Sequence, residues 1–410
     1  MSATARVLVG LVGGALIGML LAFLDPALGE IIANLVQPLG RLWLNALQMT
    51  VVPLVVALVV AGVATTSDAA ASGRTARRAI IVFLILLSAG AAFAAVWAPF
   101  QLNFVPRVPA LLESLRTALG TPATDTTPKS LSDWVSGIIP SNAIAAAAQS
   151  AMLPLVVGAL FFGFALTRIE PTRRTQVVEL FQALSDTMVV IVRWVLWAAP
   201  VGVFALALAV CVRAGVSVIS ALGWYILAMC SLYVFVCIAL YVVAIVFGGQ
   251  SLRRFAAAIL PAQVIAMTTQ SSLATLPAMV ETAQGKLGCS RGVTALVLPM
   301  AVSLFRMTSP VQYIGISSFI AWIYGIDLSA AQLAVGAALA VVISLGSVGL
   351  PGQVSLMAMN MPVAQSMGLP VAPLGLLLAV ETIPDMFATL GNVTADLSAT
   401  TVVARGRSGT

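Results

Sequence analysis

A stripe of polar and acidic residues interrupts the otherwise apolar C-terminal segment at residues 374–403. Its members are Glu381, Asp385, Thr389, Asn392 and Asp396. At about 100° per residue on a helix, Asp385, Asn392 and Asp396 lie within about 40° of one another, and the other two residues flank them. Ionised carboxylates in a membrane helix are costly unless they are paired, so they usually mark the path of an ion or a substrate. This favours a functional role for Asp385 and Asp396. For Glu381 a solvated position near the end of the helix is an equal alternative.

Arg306 is the only basic residue in the interior of the later apolar segments. A buried guanidinium group needs a carboxylate partner, and Asp385 and Asp396 are the natural candidates. Such a pair can belong to a transport site, or it can be a purely structural ion pair.

The apolar stretches of the last 155 residues are interrupted by three clusters rich in polar residues, Gly or Pro, at residues 268–272, 306–310 and 344–353. Irregular backbone survives at membrane depth only where it is buried in protein or lines a cavity. Two broken hairpins in corresponding positions predict a transport site near the middle of the bilayer. In the alternative interpretation, each cluster is an aqueous turn between two helices.

Composition excludes several classes of chemistry. The chain contains no His, which removes the commonest metal ligand and the usual general base near neutral pH. The four Cys lie in or beside apolar stretches without the spacing of a metal site, and we expect them to be small buried hydrophobic residues. They are Cys211, Cys230, Cys237 and Cys289. We therefore predict that the protein is not an enzyme and has no cofactor, and no metal site is firmly predicted.

Charge and hydrophobicity indicate a bilayer as the solvent. Of the 410 residues, 60% are hydrophobic and 8% are charged, whereas a soluble chain carries about 25% charged residues. The net charge of +6 could indicate nucleic acid, but the basic residues lie mostly in short gaps between apolar runs, where the positive-inside rule places them. We predict a multi-pass protein of the inner cell membrane with both termini cytoplasmic and no nucleic-acid partner.

Six apolar segments of membrane-spanning length precede residue 251. They cover about residues 7–24, 39–65, 79–100, 138–167, 177–212 and 216–247. The first is interpreted as a retained membrane helix and not as a signal peptide. The polar stretch at residues 105–134 is interpreted as a surface loop.

The motifs of the later segments resemble those of the dicarboxylate/amino-acid:cation symporter family, which has the glutamate-transporter fold. Residues 270–277 (Gln-Ser-Ser-Leu-Ala-Thr-Leu-Pro) resemble the tip of that family's first re-entrant hairpin, and residues 349–352 (Gly-Leu-Pro-Gly) resemble the tip of the second. Residues 392–396 (Asn-Val-Thr-Ala-Asp) resemble the signature of the last helix. Weaker likenesses at residues 45–55, 139–142 and 199–205 extend the resemblance over nearly the whole chain.

The resemblance implies an all-α polytopic fold with about eight transmembrane helices and two re-entrant helical hairpins. Residues 1–250 would be mainly scaffold and trimerisation helices, with the third and sixth helices moving with the transport part. Residues 251–405 would form the core transport region, with hairpin 1, helix 7, hairpin 2 and helix 8. The family also implies a homotrimer and an elevator mechanism.

The resemblance also implies residue roles. The position of Asp385 would hold the ammonium group of an amino acid, and that of Asn392 would hold its carboxylate together with the hairpin tips. Helix N-termini attract an anion, so these roles are physically reasonable. The complete predicted substrate site is Gln270, Ser271, Ser272, Ser309, Leu350, Gly352, Asp385, Ala388, Thr389 and Asn392.

The chain departs from the family pattern at its charged positions. The arginine that grips an acidic side chain falls at Ala388, and the hairpin arginine of some members falls at Gln270. The Asn-Met-Asp-Gly-Thr motif, which builds sodium sites, falls at residues 305–309. Phe305 and Met307 offer no hard side-chain oxygen for sodium. The predicted cation site or its replacement is Phe305, Arg306, Met307, Asn392 and Asp396.

These departures predict that Arg306 takes the place of a coupling cation by neutralising Asp396 or Asp385. The carrier would then be independent of sodium: a uniporter, an exchanger or a proton-coupled carrier in which Glu381 or Asp385 binds the proton. The expected substrate is a small neutral or zwitterionic amino acid. The alternatives are a symporter of an acidic amino acid or dicarboxylate with sodium or protons, an anion-conducting channel, and a membrane scaffold that transports nothing.

Overall fold

The computed structural model describes residues 3–71, 73–106, 112–113, 116, 138–215, 217–346 and 352–405. All regular structure in these residues is helical. The helices are α1 (Ala3–Leu24), α2 (Pro26–Ala71), α3 (Arg74–Leu102), α4 (Ala143–Ala148), α5 (Met152–Leu166), α6 (Pro171–Trp197), α7 (Ala199–Ala214), α8 (Ser217–Val246), α9 (Leu252–Thr269), α10 (Ser272–Glu281), α11 (Arg291–Leu304), α12 (Thr308–Tyr324), α13 (Ala330–Gly346), α14 (Gly352–Ser366), α15 (Leu374–Val380) and α16 (Thr382–Arg405), with a π-helical turn at Thr282–Lys286.

Six membrane spans in the described part of the chain are long and apolar enough to cross a bilayer, and seven if the bent pair α15–α16 counts as one span. The all-helical, polytopic membrane fold predicted from the sequence is therefore confirmed. The count of eight transmembrane helices and the re-entrant nature of the two hairpins stay predictions. The loop predicted at residues 105–134 lies almost entirely outside the described residues.

The N-terminal helices pack through small residues. Helix α1 packs along α7, and α2 packs against α5, α6 and α7. The contact between α1 and α7 is so close that a Cβ added to Gly14 would lie 2.5 Å from the carbonyl oxygen of Phe204. Glycine on this face of α1 lets the two backbones approach each other, as small residues do in membrane helices generally.

The prediction of one apolar segment at residues 177–212 is wrong. The structure divides this stretch at Ala198 into α6 and α7, and Pro200 lies in the first turn of α7. Proline has no N–H to continue the helical ladder, and its ring clashes with the carbonyl four residues earlier, so a new helix begins there.

The last segment is also interrupted, whereas the sequence predicted a continuous helix over residues 374–403. Helices α15 and α16 are bent by 74° at Glu381. Pro384 explains the break, because it cannot donate to the carbonyl of Val380 and its ring crowds that carbonyl. The bend places Glu381 in the interior and separates it from the straight part of the stripe.

Helices α9 and α10 form a tight helical hairpin whose turn is Gln270–Ser271. Gln270 ends α9 in the left-handed conformation, with φ of 51°. The Ser271 hydroxyl caps α10 by accepting a hydrogen bond from the backbone N–H of Ala274 at 3.2 Å. Both limbs pack against each other and against α16. Helices α13 and α14 also contact each other, and the residues between them lie outside the described chain.

Candidate functional site

Helix α16 lies in the interior of the molecule, between α3, α8, α9, α11 and α12. Its residues from Gly391 to Thr401 are all buried. Asn392 and Asp396 of the predicted polar stripe therefore face protein on every side, where a polar group must find a partner or serve a ligand.

Asn392 is held in one orientation by the first residue of α12. Its side-chain Oδ1 accepts hydrogen bonds from the backbone N–H and the hydroxyl of Thr308, both at 2.9 Å. A backbone N–H can only donate, so the atom facing Thr308 must be the oxygen and not the amide nitrogen. The Nδ2 group of Asn392 is thus turned away from Thr308 and can donate to an anion such as a carboxylate.

Asp385 lies two turns before Asn392, roughly 10 Å along the helix axis. Its side chain is only partly buried, whereas Ala388 and Thr389 in the next turn are buried. The Thr389 hydroxyl donates to the carbonyl of Asp385 at 2.9 Å, within the same helix. Asp385 therefore presents a reachable negative charge on the same stripe as the amide of Asn392.

Asp396 is 1% exposed, and neither of its carboxylate oxygens has a hydrogen-bond partner among the described residues. The Arg306 guanidinium is within electrostatic range of both Asp396 and Asp385. Both of the carboxylates expected from the sequence to accompany Arg306 thus lie near it. The charge of Arg306 offsets theirs in a region of low dielectric constant.

Phe305 and Met307 direct their side chains toward α3. The Phe305 ring stacks on that of Phe83, with centroids 4.6 Å apart. The Met307 methyl group is packed against Gly90, where a Cβ would come within 2.6 Å of it. The two residues anchor the segment between α11 and α12 through apolar contacts, and their side chains carry no oxygen for a cation.

The first hairpin tip reaches the start of α16. The Gln270 side-chain amide donates to the carbonyl of Thr382 at 3.1 Å. Ser271 and Ser272 are partly buried at the same tip. A simple aqueous turn would not need this contact with the bend beside the stripe.

Two other residues of the predicted site lie at the starts of helices. Ser309 is buried in the first turn of α12, and its backbone N–H donates to the carbonyl of Arg306 at 3.0 Å. Gly352 is the first residue of α14. Leu350, the remaining member of the predicted site, lies outside the described residues.

The solvated position considered for Glu381 is wrong, because this residue is 2% exposed. Its carboxylate accepts hydrogen bonds from the hydroxyl of Tyr225 on α8 and the amide of Gln312 on α12. Sequence reasoning missed both partners. Each partner is one of several polar residues in an apolar run, and the sequence does not reveal which of them faces Glu381.

The whole chain matches a known family of transporters. A profile of the sodium:dicarboxylate symporter family matches residues 3–406. The chain is 28% identical to the proton/glutamate-aspartate symporter of Escherichia coli over 98% of this chain and 92% of that protein. It is also 28% identical to the neutral amino acid transporter B(0) of Bos taurus, over 87% of this chain and 71% of that protein.

A third relative, the C4-dicarboxylate transport protein of Bacillus subtilis, is 24% identical over 97% of this chain and 92% of that protein. The resemblance noted from the hairpin and last-helix motifs is thereby confirmed. Together with the buried polar stripe and the apolar helices around it, the match over nearly the full length shows that the chain belongs to the sodium:dicarboxylate symporter family, a family of transporters and not of enzymes.

Proposed function

We propose that the protein carries a small neutral or zwitterionic amino acid across the inner cell membrane and does so without sodium. The observation that carries the substrate class is the fixed orientation of Asn392. Its amide oxygen is held by Thr308, so that its N–H groups can receive a carboxylate. Asp385, partly exposed two turns earlier, supplies the opposite charge for an ammonium group.

Between Asp385 and Asn392, helix α16 offers no positive charge to the side chain of the substrate. Ala388 occupies the position between Asp385 and Asn392 where an acidic side chain would need a cationic partner, and it is buried. An uncharged substrate side chain suits an apolar methyl group, whereas a buried carboxylate without a partner is strongly disfavoured.

Independence from sodium rests on Arg306 and Asp396. Sodium binds hard oxygen ligands, and the side chains of Phe305 and Met307 are apolar and packed on α3. The guanidinium charge acts on the buried Asp396 and would repel a second cation there. The permanent charge of Arg306 would thus neutralise Asp396 in place of a cation that binds and leaves during each transport cycle.

The relatives are named for acidic amino acids in one case and for neutral amino acids in another, so the substrate class must be argued from the site of this chain. The relative from Bos taurus is named for neutral amino acids, and that from Escherichia coli for glutamate, aspartate and protons. In the rival assignment, Arg306 grips the side-chain carboxylate of an acidic amino acid or a dicarboxylate. Asp385 opposes a dicarboxylate, which has no ammonium group to offset it.

The same proposal includes a homotrimer, cytoplasmic termini and an elevator motion. In support of a mobile part larger than residues 251–405, α3 and α8 pack directly on α12 and α16. Interrupted helices at a buried polar site are the usual construction of secondary transporters.

The test is uptake of labelled alanine, aspartate and succinate into proteoliposomes by the wild-type protein and by Asp385→Asn. We expect alanine uptake in the wild type and a loss of about a hundredfold in the variant, the scale of a lost charge-assisted pair. Asp186→Asn removes an exposed carboxylate on α6 and is the matched control. Uptake of succinate that is unimpaired by Asp385→Asn would contradict the proposal.

A further inference from the structure

A second polar pocket lies where α8, α12 and the bend between α15 and α16 meet. Glu381 is at its centre, 2% exposed, and the substrate site described above makes no use of it. The two donors to its carboxylate, the Tyr225 hydroxyl and the Gln312 amide, are both neutral. A carboxylate that is buried in a membrane helix without a cation is rare and usually functional.

The buried carboxylates of this region differ in their access to positive charge. Asp385 and Asp396 both lie in the electrostatic range of Arg306, and a bound ammonium group would add a second cation beside Asp385. The titratable groups that face Glu381 in the described chain are Tyr225, Cys230 and Tyr233 from α8 and Asp385 from α16. None of these is a cation, so a proton is the counter-charge that remains for Glu381.

The hydrogen bonds around Glu381 suit both of its protonation states. A hydroxyl group can donate or accept. Tyr225 donates to the ionised carboxylate, and when Glu381 carries a proton its own O–H can donate to the oxygen of Tyr225. Gln312 donates to the other carboxylate oxygen, which can accept whether or not Glu381 carries a proton. The pocket can therefore take up a proton without leaving either carboxylate oxygen without a partner.

Two further tyrosine hydroxyls are buried on α8 and α12, the helices that carry the partners of Glu381. Tyr233 on α8 and Tyr313 on α12 are buried, and their hydroxyls have no hydrogen-bond partner among the described residues. Tyr233 is within electrostatic range of both Glu381 and Tyr313. Unpaired polar groups in an apolar interior are unfavourable, so these two hydroxyls are unusual features of this part of the molecule.

We propose that Glu381 binds the coupling proton of this carrier and that Asp385 is reserved for the ammonium group of the substrate. The inference rests on the proposed amino-acid transport and adds its coupling ion. A proton from the outer aqueous phase forms an O–H bond with the Glu381 carboxylate and neutralises it. After the site has moved, the same O–H bond breaks and the proton enters the inner aqueous phase.

The first test compares Glu381→Gln with the wild type in proteoliposomes. The amide imitates the protonated acid, so we expect exchange of labelled alanine for internal alanine to persist and to lose its dependence on pH. Accumulation driven by an acidic exterior should fall by at least about tenfold, because the variant cannot release a proton. Glu281→Gln changes an exposed carboxylate on α10 in the same way and should leave both activities intact.

The second test does not require transport. Infrared difference spectra of the purified protein during a pH titration should show a protonated carboxyl band that disappears in Glu381→Gln and persists in Glu281→Gln.

The outcomes separate this proposal from the one on which it rests. Proton-driven accumulation that survives Glu381→Gln, or a titrating band that the variant retains, overturns the role of Glu381 and leaves amino-acid transport standing. Alanine exchange by the wild type that is unaffected by a pH gradient would likewise overturn the role of Glu381 and leave amino-acid transport standing. No flux of any amino acid, with the titrating band present in the wild type, instead overturns the proposed substrate.

Discussion

At the scale of single residues, the charge balance of the site depends on Arg306. We predict that Arg306→Met reduces alanine uptake by about a hundredfold, because it leaves the buried Asp396 without an opposite charge. Arg291→Met removes an exposed arginine at the start of α11 and should behave like the wild type. Uptake rates measured at equal protein density in vesicles test this.

The double variant Arg306→Met/Asp396→Asn sharpens this test. Removing both charges of a buried pair is usually less harmful than removing one. We therefore expect Arg306→Met to give a smaller monodisperse fraction in detergent than the wild type, and the double variant to restore that fraction. Full transport in the single Arg306→Met variant would exclude the tethered-cation role.

Ala388 decides the charge of the substrate side chain in this account. We predict that Ala388→Arg raises aspartate uptake relative to alanine uptake by about tenfold or more, because a guanidinium on the stripe can pair with the extra carboxylate. Ala388→Leu adds bulk without charge and should lose alanine uptake with no gain for aspartate. An unchanged ratio in Ala388→Arg would mean that the substrate side chain does not reach this turn.

At the scale of helices, the approach of α1 to α7 determines the stability of the N-terminal packing. A methyl group on Gly14 would meet the carbonyl oxygen of Phe204 at 2.5 Å, whereas one on Gly13 would lie 3.8 Å from the edge of the Phe204 ring. We predict that Gly14→Ala destabilises the protein by about 1–3 kcal/mol through overpacking, while Gly13→Ala is nearly neutral. Thermal unfolding in detergent, followed by tryptophan fluorescence, distinguishes the two variants. Equal melting temperatures of the two variants would show that α1 and α7 can move apart without a loss of stability.

Composition and periodicity were sufficient to predict the helical membrane fold and the stripe on the last helix. An apolar run of roughly 20 residues crosses a bilayer as a helix, because a helix satisfies its own backbone hydrogen bonds there. The helical repeat then determines which residues share a face. Charge alone also indicated Asp385 and Asp396 as candidate partners of Arg306, because a cation in an apolar segment needs an anion, and both lie within its electrostatic range.

The breaks at Ala198 and Glu381 and the burial of Glu381 could not be predicted in the same way. Prolines are tolerated inside other helices of this chain, as Pro53 within α2 shows. Whether a proline breaks a membrane helix depends on which neighbours satisfy the freed carbonyl. The hydrogen bonds of Tyr225 and Gln312 to Glu381 join residues far apart in sequence, so only the packed structure reveals them.

At the scale of the whole molecule, the C-terminal helices form a polar interior inside an apolar exterior. Hairpin α9–α10, the segment around Arg306 and the bend at Glu381 all converge on α16. Each of these is an interruption of a helix, and together they supply the polar groups that an amino acid and a proton require. Movement of this interior relative to α1, α2 and α7 would expose it to each side of the membrane in turn.

In the proposed mechanism a neutral amino acid crosses the membrane without sodium. The most direct test of this proposal is the initial rate of labelled alanine uptake into proteoliposomes when external sodium is replaced by choline at constant pH and membrane potential. We expect the rate to stay within about twofold, because the charge of Arg306 is already in place. A rate that rises at least about tenfold with sodium, or uptake of aspartate alone, would contradict the proposal and would require sodium ligands other than the residues considered above.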